Sequence, residues 1–315
     1  MILYKYRTDS QYTEAIFRDR KIWLSTAKQL NDPFECTISE IAGDWIDSKV
    51  QEAMNAHITG FFHSASLSLE AKKNFMDLRP SKTKALLKKL SRYRDMSALH
   101  YQIKEFYKSR GMSLSDPRYT FAKLDEQLQN VGIFSLSSNP TQQLMWAHYG
   151  GESKGIAIGF CKRDYTKLAN IDHCIKVGYS NAVPAFEGNT LIAQSSLFFT
   201  ESGVAFDQQI SFSDPTFRTA ISTKAESWRY EEEWRYVEET SGAFDYPAPI
   251  SEIVFGQRCP DDVRKKYILL AREFVTGSIS FKAIVSPKNT RSLELVTLYQ
   301  EELDAILKKT PDDIR

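Results

Sequence analysis

The sequence predicts an α+β fold in one compact domain that carries a helical insertion. Strand-like segments rich in aromatic and β-branched residues recur along the chain and alternate with helical segments. Residues 42–130 differ, because they are rich in Lys, Glu, Leu and Ala and show helical periodicity. No internal repeat and no Gly/Pro-rich linker divides the chain. We expect a single α+β domain over 1–315, a helical insertion or lid at 42–130, and a C-terminal helix-strand-helix extension at 260–315.

The N-terminal segments predict a strand, a helix and a second strand in that order. "ILYKYR" is rich in aromatic and branched residues, "SQYTEAIFRDR" is typical of a short helix, and "KIWLS" again indicates a strand. The second strand leads into "TAKQLNDPFE", where Asn31-Asp32-Pro33 ends regular structure. In the insertion, the periodic "PSKTKALLKKLSRYRDMSALHYQIKEFYKSR" predicts one long helix or a helical pair.

The rest of the chain predicts further strands with helices between them. A helix is expected to begin at Pro140 and to run through "TQQLMWAHYG" to the Gly150-Gly151 pair. "CPDDVRKKYILLAREF" predicts a helix with Pro260 near its start. A final strand is expected at "ISFKAIV", followed by an amphipathic helix over 292–308. The other predicted strands are "GIFSLSS", "KGIAIGF", "HCIKVGYS", "EEEWRYVEE" and "SEIVFG".

The composition favours a soluble cytoplasmic protein with no membrane partner. The chain has 315 residues and a formal charge of +1, so net charge does not indicate nucleic-acid binding, although a local basic patch remains open. No stretch approaches the ~20 apolar residues needed to span a bilayer. The cysteines are far apart and form no CxxC pair, so buried thiols are expected rather than a zinc site or disulfides. They are Cys36, Cys161, Cys174 and Cys259.

The segment "WRYEEEWRYVEE" at 228–239 places three consecutive glutamates among two tryptophans and two tyrosines. In a strand, Glu231, Glu233 and Arg235 share one face with Val237. The ordinary interpretation of these glutamates is a solvent-exposed strand face with ion pairs, and we give it the same weight as a functional role. The surrounding aromatic side chains favour function, because they would shield the carboxylates from water and raise the cost of an unpaired charge.

Two other strands place polar groups so that they can meet these glutamates. Lys5 and Arg7 share a face of the first strand with Leu3, and Ser135 and Ser137 share a face of the "GIFSLSS" strand. If the strands meet in one sheet or across a cleft, two carboxylates, two cations and two hydroxyls converge there. The prediction of a functional site therefore depends on whether these three strands meet.

Two further segments contain candidate site residues. In "LMWAHYG", Leu144 and His148 share a helix face, as do Met145 and Tyr149. For Trp146 core packing is favoured over ligand stacking, and a structural role is favoured for His148.

In "LNDPFE", Asp32 and Glu35 are candidates for binding a divalent cation or positioning a substrate hydroxyl, but turn chemistry is favoured, with Asn31 or Asp32 bonding to the backbone that follows. A nuclease or phosphoesterase is the alternative, in which Asp32, Glu35, Glu231 and Glu233 bind Mg²⁺. No Walker loop, GxGxxG, GxSxG or HExxH pattern supports another chemistry.

Four segments together resemble a bacterial family known as domain of unknown function 2971. The resemblance spans residues 2 to about 256 and leaves out the helical insertion and the C-terminal tail. It implies no established reaction. The segments are "LYKYR", "LSTAKQLNDPFE", "FSLSSNPTQQLMWAHYGGESKGIAIGF" and "SWRYEEEWR".

The order of a basic first strand, a serine-rich middle strand and a late Glu-x-Glu strand is similar to the ADP-ribosyltransferase superfamily. This resemblance implies a mixed, mostly antiparallel split sheet with a large helical insertion and flanking C-terminal helices. It also implies that Lys5 or Arg7 binds NAD and that Ser135, with Ser137, supports the nicotinamide-side ribose. Glu233 would drive the chemistry and Glu231 would orient an acceptor. "YKYR" departs from the family's first motif, which leaves open whether Lys5 or Arg7 is the relevant cation.

The resemblance and the residue pattern together predict an NAD-consuming enzyme, with NAD as co-substrate and no metal. Breaking the nicotinamide glycosidic bond builds positive charge on the ribose, which a carboxylate stabilises. Stacking on the nicotinamide or adenine ring is expected from Tyr4, Tyr6 or Trp146. The family likeness adds a toxin or phage-defence role. Besides the metal-dependent phosphoesterase, the alternative is a sensor module that binds a nucleotide without turnover. The remaining expected NAD-binding residues are His148, Tyr149 and Arg235.

Overall fold

The computed structural model describes residues 1–114, 116–186, 193–200 and 203–309. By its internal contacts the chain divides into two units. The first contains Met1–Ile38, Gln127–Ala185 and Pro215–Arg315, and the second contains Ser39–Glu126 and Phe186–Asp214. Of the predicted segments, residue 115 of the insertion and residues 310–315 of the C-terminal extension lie outside the described residues.

The strands carry the labels used below. In chain order they are β1 (Ile2–Arg7), β2 (Lys21–Leu24), β3 (Gly132–Ser137), β4 (Ile156–Cys161), β5 (Cys174–Lys176), β6 (Gly178–Tyr179), β7 (Ala193–Thr200), β8 (Gly203–Ile210), β9 (Thr223–Lys224), β10 (Glu233–Glu238), β11 (Gly242–Asp245), β12 (Ile250–Phe255), β13 (Ser280–Val285) and β14 (Glu294–Thr297).

The helices are labelled in the same way. They are α1 (Gln11–Asp19), α2 (Gly43–Glu70), α3 (Pro80–Leu90), α4 (Met96–Lys108), α5 (Pro117–Asn130), α6 (Gln143–His148), α7 (Pro215–Ser222), α8 (Asp261–Phe274) and α9 (Gln300–Lys308). Short 3₁₀ turns occur at Ala27–Gln29, Lys167–Ala169 and Glu226–Glu231.

A mixed sheet forms the centre of the first unit, and the α+β prediction is confirmed. Within the described residues its strand order is β14-β13-β12-β4-β1-β3-β10-β5. All neighbours are antiparallel except β12 and β13, which run parallel. β2 pairs with β11, and β6 pairs with β9, in small separate sheets. The C-terminal helix-strand-helix stretch therefore contributes two strands, β13 and β14, to the main sheet.

The two faces of the sheet are buried against different elements, because side chains alternate along each strand. Leu3 lies on the face that packs against α1, α8 and α9, in a core that includes Phe17 and Tyr267. Tyr4 and Tyr6 lie on the other face and pack with residues of α6, β4 and β12. Neither face is left for solvent around β1, so polar groups on this strand must find partners or line a cavity.

Three predicted element boundaries are wrong. The helix expected over 292–308 is interrupted, because "ELVT" pairs with β13 as β14 before α9 begins. The helix expected at Pro140 starts at Gln143, where the side chain of Gln142 accepts a hydrogen bond from the Leu144 N–H (3.3 Å). The strand expected over 231–239 begins only at Glu233, because Glu231 ends a 3₁₀ turn and Glu232 adopts a left-handed conformation (φ 45°).

The second unit contains α2, α3, α4 and most of α5, which are the helices of the predicted insertion. The helical-pair alternative is confirmed by α3 and α4, which are separated where Asp95 caps α4 by accepting from Ser97 N–H (3.1 Å). Phe61 and Ile103 belong to the core that the helices share. The antiparallel pair of β7 and β8 was not anticipated. No helix in the described ranges is sufficiently long and apolar to traverse a bilayer.

Candidate functional site

The candidate site lies where β1 and β3 separate. One edge of β1 is paired with β4 along its whole length. Its other edge meets β3, within the described residues, only at the pair Tyr4 and Ser137. The start of β3 bonds instead to the backbone of Ser25, which exchanges two hydrogen bonds with Ile133 (2.9 and 2.8 Å). The sheet is therefore open between the second half of β1 and β3.

A cleft of about 240 Å³ occupies this opening. Its lining comes from β1, β3, the loop after β2, the end of α6, and the segment from β9 to β10. The polar side chains that line it are Tyr4, Lys5, Tyr6, Arg7, Ser25, Gln29, Asn31, Glu35, Ser135, Ser137, Tyr149, Lys224, Glu231 and Glu233. Residues from five separate parts of the first unit thus converge on one cavity.

The wall formed by β1 is basic. Lys5 Nζ donates to the carbonyl oxygen of Ser135 (3.0 Å) and lies 4.8 Å from the ring centroid of Phe134. Arg7 Nε is buried and has no hydrogen-bond partner among the described residues. Gly155 allows β4 to approach this end of β1, because a Cβ there would lie 2.1 Å from the carbonyl oxygen of Arg7. The site therefore holds donors that an anion would satisfy.

The opposite wall is a buried cluster of charges, which we call the carboxylate cluster. Lys224 Nζ lies 2.7 Å from Glu231, 3.2 Å from Glu233 and 3.3 Å from Glu35. Arg235 is fully buried and contacts two of these carboxylates, Glu35 at 2.5 Å and Glu233 at 3.1 Å. Within the described part of the chain the cluster thus contains three carboxylates and two cations, and all three carboxylates line the cleft.

Hydroxyl and amide groups fix the orientation of the glutamates. Tyr149 donates from its hydroxyl to Glu231 (2.6 Å) and accepts from Asn31 Nδ2 (2.7 Å). The hydroxyl of Tyr179 accepts from the backbone N–H of Glu233 (2.8 Å). The side chain of Ser135 also bonds to Glu233 and helps to keep its pKa low. The carboxylates of Glu231 and Glu233 are therefore held by hydroxyl groups as well as by charge.

The charges of the cluster follow from burial and from neighbouring groups. Burial alone would raise the pKa of Glu233, but Arg235 and Lys224 outweigh it and lower that pKa to about 2. Burial, together with repulsion from Glu233, raises the pKa of Glu35 in spite of the attraction of the same two cations. Burial opposes the charge of Lys224, yet the three glutamates raise its pKa. Glu233 is therefore ionised at neutral pH.

The basic wall shows the opposite behaviour. Burial, followed by repulsion from Arg7, lowers the pKa of Lys5 to about 7. Burial also lowers the pKa of Arg7. Both shifts have the same main cause: burial disfavours the charged form of these side chains, and the attraction of Glu233 and Glu231 offsets it only in part at Lys5. An anionic group in the cleft would favour the charged form.

A second, larger cavity adjoins the cleft. This groove has a volume of about 790 Å³ and shares with the cleft Lys5, Tyr6, Arg7 and Tyr149. It continues between α1 and β2, where the side chain of Trp23 is 56% exposed. The two cations of β1 thus stand at the junction of a small polar cleft and a larger groove.

Most predicted site residues meet here, but four do not line the cleft. Trp146 is fully buried, packs edge-on against Tyr6 with ring centroids 4.9 Å apart, and offers no face to a ligand. His148 is exposed and lies in the adjoining groove. Arg235 lies behind the carboxylates. Asp32 accepts from the Phe34 N–H (3.0 Å), which agrees with the turn interpretation.

The contacts of the acids do not favour the metal-site alternative. Glu35, Glu231 and Glu233 direct their oxygens at Lys224 and Arg235, and Asp32 is engaged in its own turn. Across the described residues no group of three or more His, Cys, Asp or Glu side chains is arranged to bind a metal ion. The predicted thiols are confirmed, since Cys36, Cys161, Cys174 and Cys259 are all buried and free.

The sequence interpretation missed Lys224 and Tyr179. Lys224 belongs to the two-residue strand β9, whose partner β6 contains Tyr179. Nothing in "ISTKAESW" distinguishes this lysine from an exposed one. Its role arises only because β9 and β10 place it among three glutamates.

A comparison with known families matches residues 145–236 to the family described as "Protein of unknown function (DUF2971)". The match covers less than a third of the chain and does not reach "LYKYR" or "LSTAKQLNDPFE". It includes Tyr149, Lys224, Glu231, Glu233 and Arg235, hence much of the acidic wall. No curated protein and no solved structure matches the chain. The likeness to ADP-ribosyltransferases thus stays a prediction.

Proposed function

We propose that the protein is an NAD-consuming enzyme of ADP-ribosyltransferase-like type, which either transfers ADP-ribose to an acceptor or hydrolyses NAD. One observation carries the proposal. An ionised, fixed carboxylate at Glu233 and two under-neutralised cations at Lys5 and Arg7 line the same cleft, at a split in the sheet. NAD presents the matching groups, a ribose that becomes cationic and a diphosphate.

The chemistry assigns a role to each wall. As the bond to nicotinamide breaks, positive charge develops on the ribose, and Glu233 would accept a bond from a ribose hydroxyl and stabilise that charge. Its low pKa, about 2, means that the carboxylate needs no deprotonation before reaction. Ser135 would hold Glu233 in place. Glu231, bonded to Tyr149, would orient an acceptor.

The sizes of the two cavities favour a substrate whose two halves occupy different cavities. The cleft of about 240 Å³ is smaller than the ~300–1,000 Å³ of usual ligand pockets. It would hold the nicotinamide riboside half, and the groove of about 790 Å³ would hold the adenosine half. The diphosphate would then lie at the junction, beside Lys5 and Arg7. The unpartnered Nε of Arg7 would gain an acceptor there.

The direct test follows nicotinamide release from NAD by chromatography, with purified protein alone and with cell lysate added. Free ADP-ribose as the second product indicates hydrolysis, whereas label from a biotinylated NAD on macromolecules indicates transfer. NAD that stays intact in every condition contradicts the proposal. A toxin or phage-defence role would appear as loss of cellular NAD when the protein is expressed in a bacterial host.

Replacing Arg7 by Gln is expected to weaken binding of ADP-ribose about 10- to 100-fold, because charge-assisted bonds to a diphosphate are lost. Isothermal titration calorimetry measures the change. Arg272→Gln, on the exposed side of α8, removes an equal charge and should leave the affinity unchanged. Equal affinities for both variants would place the diphosphate elsewhere.

Binding of ADP-ribose is expected to take up protons near neutral pH. The pKa of Lys5 is about 7, so this amine is about half protonated at pH 7 and becomes fully charged when a diphosphate binds beside it. The affinity should therefore fall as pH rises through 7. Titrations in buffers of different ionisation enthalpy measure the uptake, and Lys5→Met should abolish it. Uptake that persists in Lys5→Met would assign the proton to another group.

A binding module without turnover is the second candidate, and one observation favours it. Each glutamate of the carboxylate cluster already contacts Lys224 or Arg235, as in a structural network. In that case NAD or ADP-ribose binds with measurable affinity, Glu233→Gln changes that affinity, and no product forms even with lysate.

A further inference from the structure

Residues 72–94 of the second unit, which we call the basic segment, are strongly and locally charged. They contain nine of the chain's 41 Lys and Arg residues and one of its 40 Asp and Glu residues. The segment carries net +8, and the remainder of the chain carries −7. The overall charge of +1 conceals this separation. The nine basic residues are Lys72, Lys73, Arg79, Lys82, Lys84, Lys88, Lys89, Arg92 and Arg94.

The positive charges of the basic segment are exposed and uncompensated. All nine side chains are exposed, and none forms a salt bridge or side-chain hydrogen bond with any residue that the structure describes. The one acid, Asp77, forms its salt bridge with Arg110, just beyond the end of α4 (2.6 Å). Other lysines of this chain do have partners, for example Lys49 with Glu52 at 2.9 Å. The segment therefore presents free charge to solvent.

The folding of α3 does not require this arrangement. Thr83 and Leu90 are buried, and the helix packs through them and its neighbouring leucines against the unit's core. Lys84 and Lys88 stand four residues apart on the exposed side, a like-charge pair that destabilises a helix. Lys82 lies in the first turn, which contains no acid, against the direction of the helix dipole. If helix stability alone determined the sequence, acidic residues would be expected in the first turn of α3.

We propose that the basic segment is a docking surface for the phosphate backbone of nucleic acid. The 11 residues of α3 extend about 16 Å, a length over which duplex DNA carries about ten phosphate charges. Lysines contact phosphates as mobile point charges, so the surface reads charge and not sequence. The apolar side of α3 is buried in the core, so this helix has none to insert into a lipid surface.

The test uses the full chain and fluorescence anisotropy, with a labelled DNA duplex of about 20 base pairs and a labelled single-stranded RNA as probes, at about 50 to 200 mM NaCl. Glutamine replaces four basic residues, because it keeps helix propensity while removing charge. In the basic-segment variant the replaced residues are Lys82, Lys84, Lys88 and Lys89. A control variant loses the same charge at four dispersed, exposed positions of the first unit, and these are Arg272, Lys288, Arg291 and Lys308.

The wild type and the control variant are expected to bind at least one probe, with affinity that falls steeply as salt increases. The basic-segment variant should bind about tenfold or more weakly, and its salt slope should fall by about 1 for each contacting lysine. Circular dichroism confirms that both variants keep their helices.

Two outcomes overturn the proposal. Either the wild type binds neither probe at about 50 mM NaCl, or the basic-segment variant binds as tightly as the control variant. Binding to phosphatidylserine vesicles without binding to either oligonucleotide belongs to the first outcome and assigns the surface to anionic membranes. The assay involves no NAD, so its result is independent of the enzymatic proposal.

Discussion

Replacing Glu233 by Gln is expected to abolish NAD consumption while the protein stays folded. Gln keeps the shape of the side chain but removes the negative charge that would stabilise the ribose cation. Loss of one such preorganised group typically lowers kcat on the order of 10²- to 10³-fold. The remaining rate would then be close to the detection limit of a nicotinamide-release assay.

The fold should tolerate this change because of the composition of the carboxylate cluster. The cluster has three carboxylates for two cations, so Glu233→Gln leaves Glu35 and Glu231 to balance Lys224 and Arg235. The amide oxygen of Gln can still accept from Arg235. Near-UV circular dichroism and the Tm, measured beside the rate, distinguish lost chemistry from lost structure.

Two matched variants sharpen this experiment. Glu239→Gln removes an exposed glutamate just beyond β10 and should leave the rate unchanged. Glu231→Gln removes the same charge from the cluster as Glu233→Gln, but should reduce transfer to an acceptor more than hydrolysis. Equal loss of both products in Glu231→Gln and Glu233→Gln would mean that the cluster acts as a unit and that neither residue has the proposed separate role.

The sequence predicted the components of the site that lie on regular strands. Lys5, Ser135 and Glu233 each belong to a strand whose composition is unambiguous, and alternation along the strand indicates which side chains share a face. It also explains why Tyr4 and Tyr6 pack away from Leu3. What alternation cannot provide is the order of strands in the sheet, so the convergence of these residues was a hypothesis until the pairing was known.

The other components reach the cleft through tertiary structure that the local sequence does not show. Glu231 reaches the cleft from a 3₁₀ turn, and the left-handed backbone of Glu232 places Glu231 and Glu233 on the same cavity where a continuous strand was expected. Lys224 comes from a strand of two residues. Glu35 comes from a turn about 200 residues earlier in the chain than Arg235, its partner. Charge pairs of this kind are visible only after folding brings distant segments together.

Replacing Lys224 by Met is expected to lower the free energy of unfolding by about 3 to 5 kcal/mol at pH 7, because removal of one partner leaves buried charge uncompensated. Three carboxylates would then face Arg235 alone. Met has a similar volume, so little of the loss would come from a cavity. Urea denaturation measures the difference. Lys167→Met, which removes the half-exposed partner of Glu238, should cost no more than about 1 kcal/mol.

The pH dependence identifies the origin of the loss. In the wild type the pKa of Glu233 is about 2, below its unfolded value near 4.5, so its stabilising contribution is present above pH 4.5 and disappears as pH falls toward 2. In Lys224→Met the carboxylates lose a cation, their pKa values rise, and protonation relieves the repulsion as pH falls. The stabilities of the two proteins should therefore converge between pH 7 and about 4.5.

A double variant tests whether charge balance is the cause. The double variant Lys224→Met with Glu231→Gln removes one cation and one carboxylate of the cluster. In the wild type these two groups are in contact, with the Lys224 amine 2.7 Å from a carboxylate oxygen of Glu231. The double variant should be more stable than Lys224→Met, although Glu231→Gln alone should not stabilise the wild type. If the two substitutions are simply additive and the pH profiles stay parallel, Lys224 contributes through packing, and the glutamates of the cleft are neutralised by Arg235 alone.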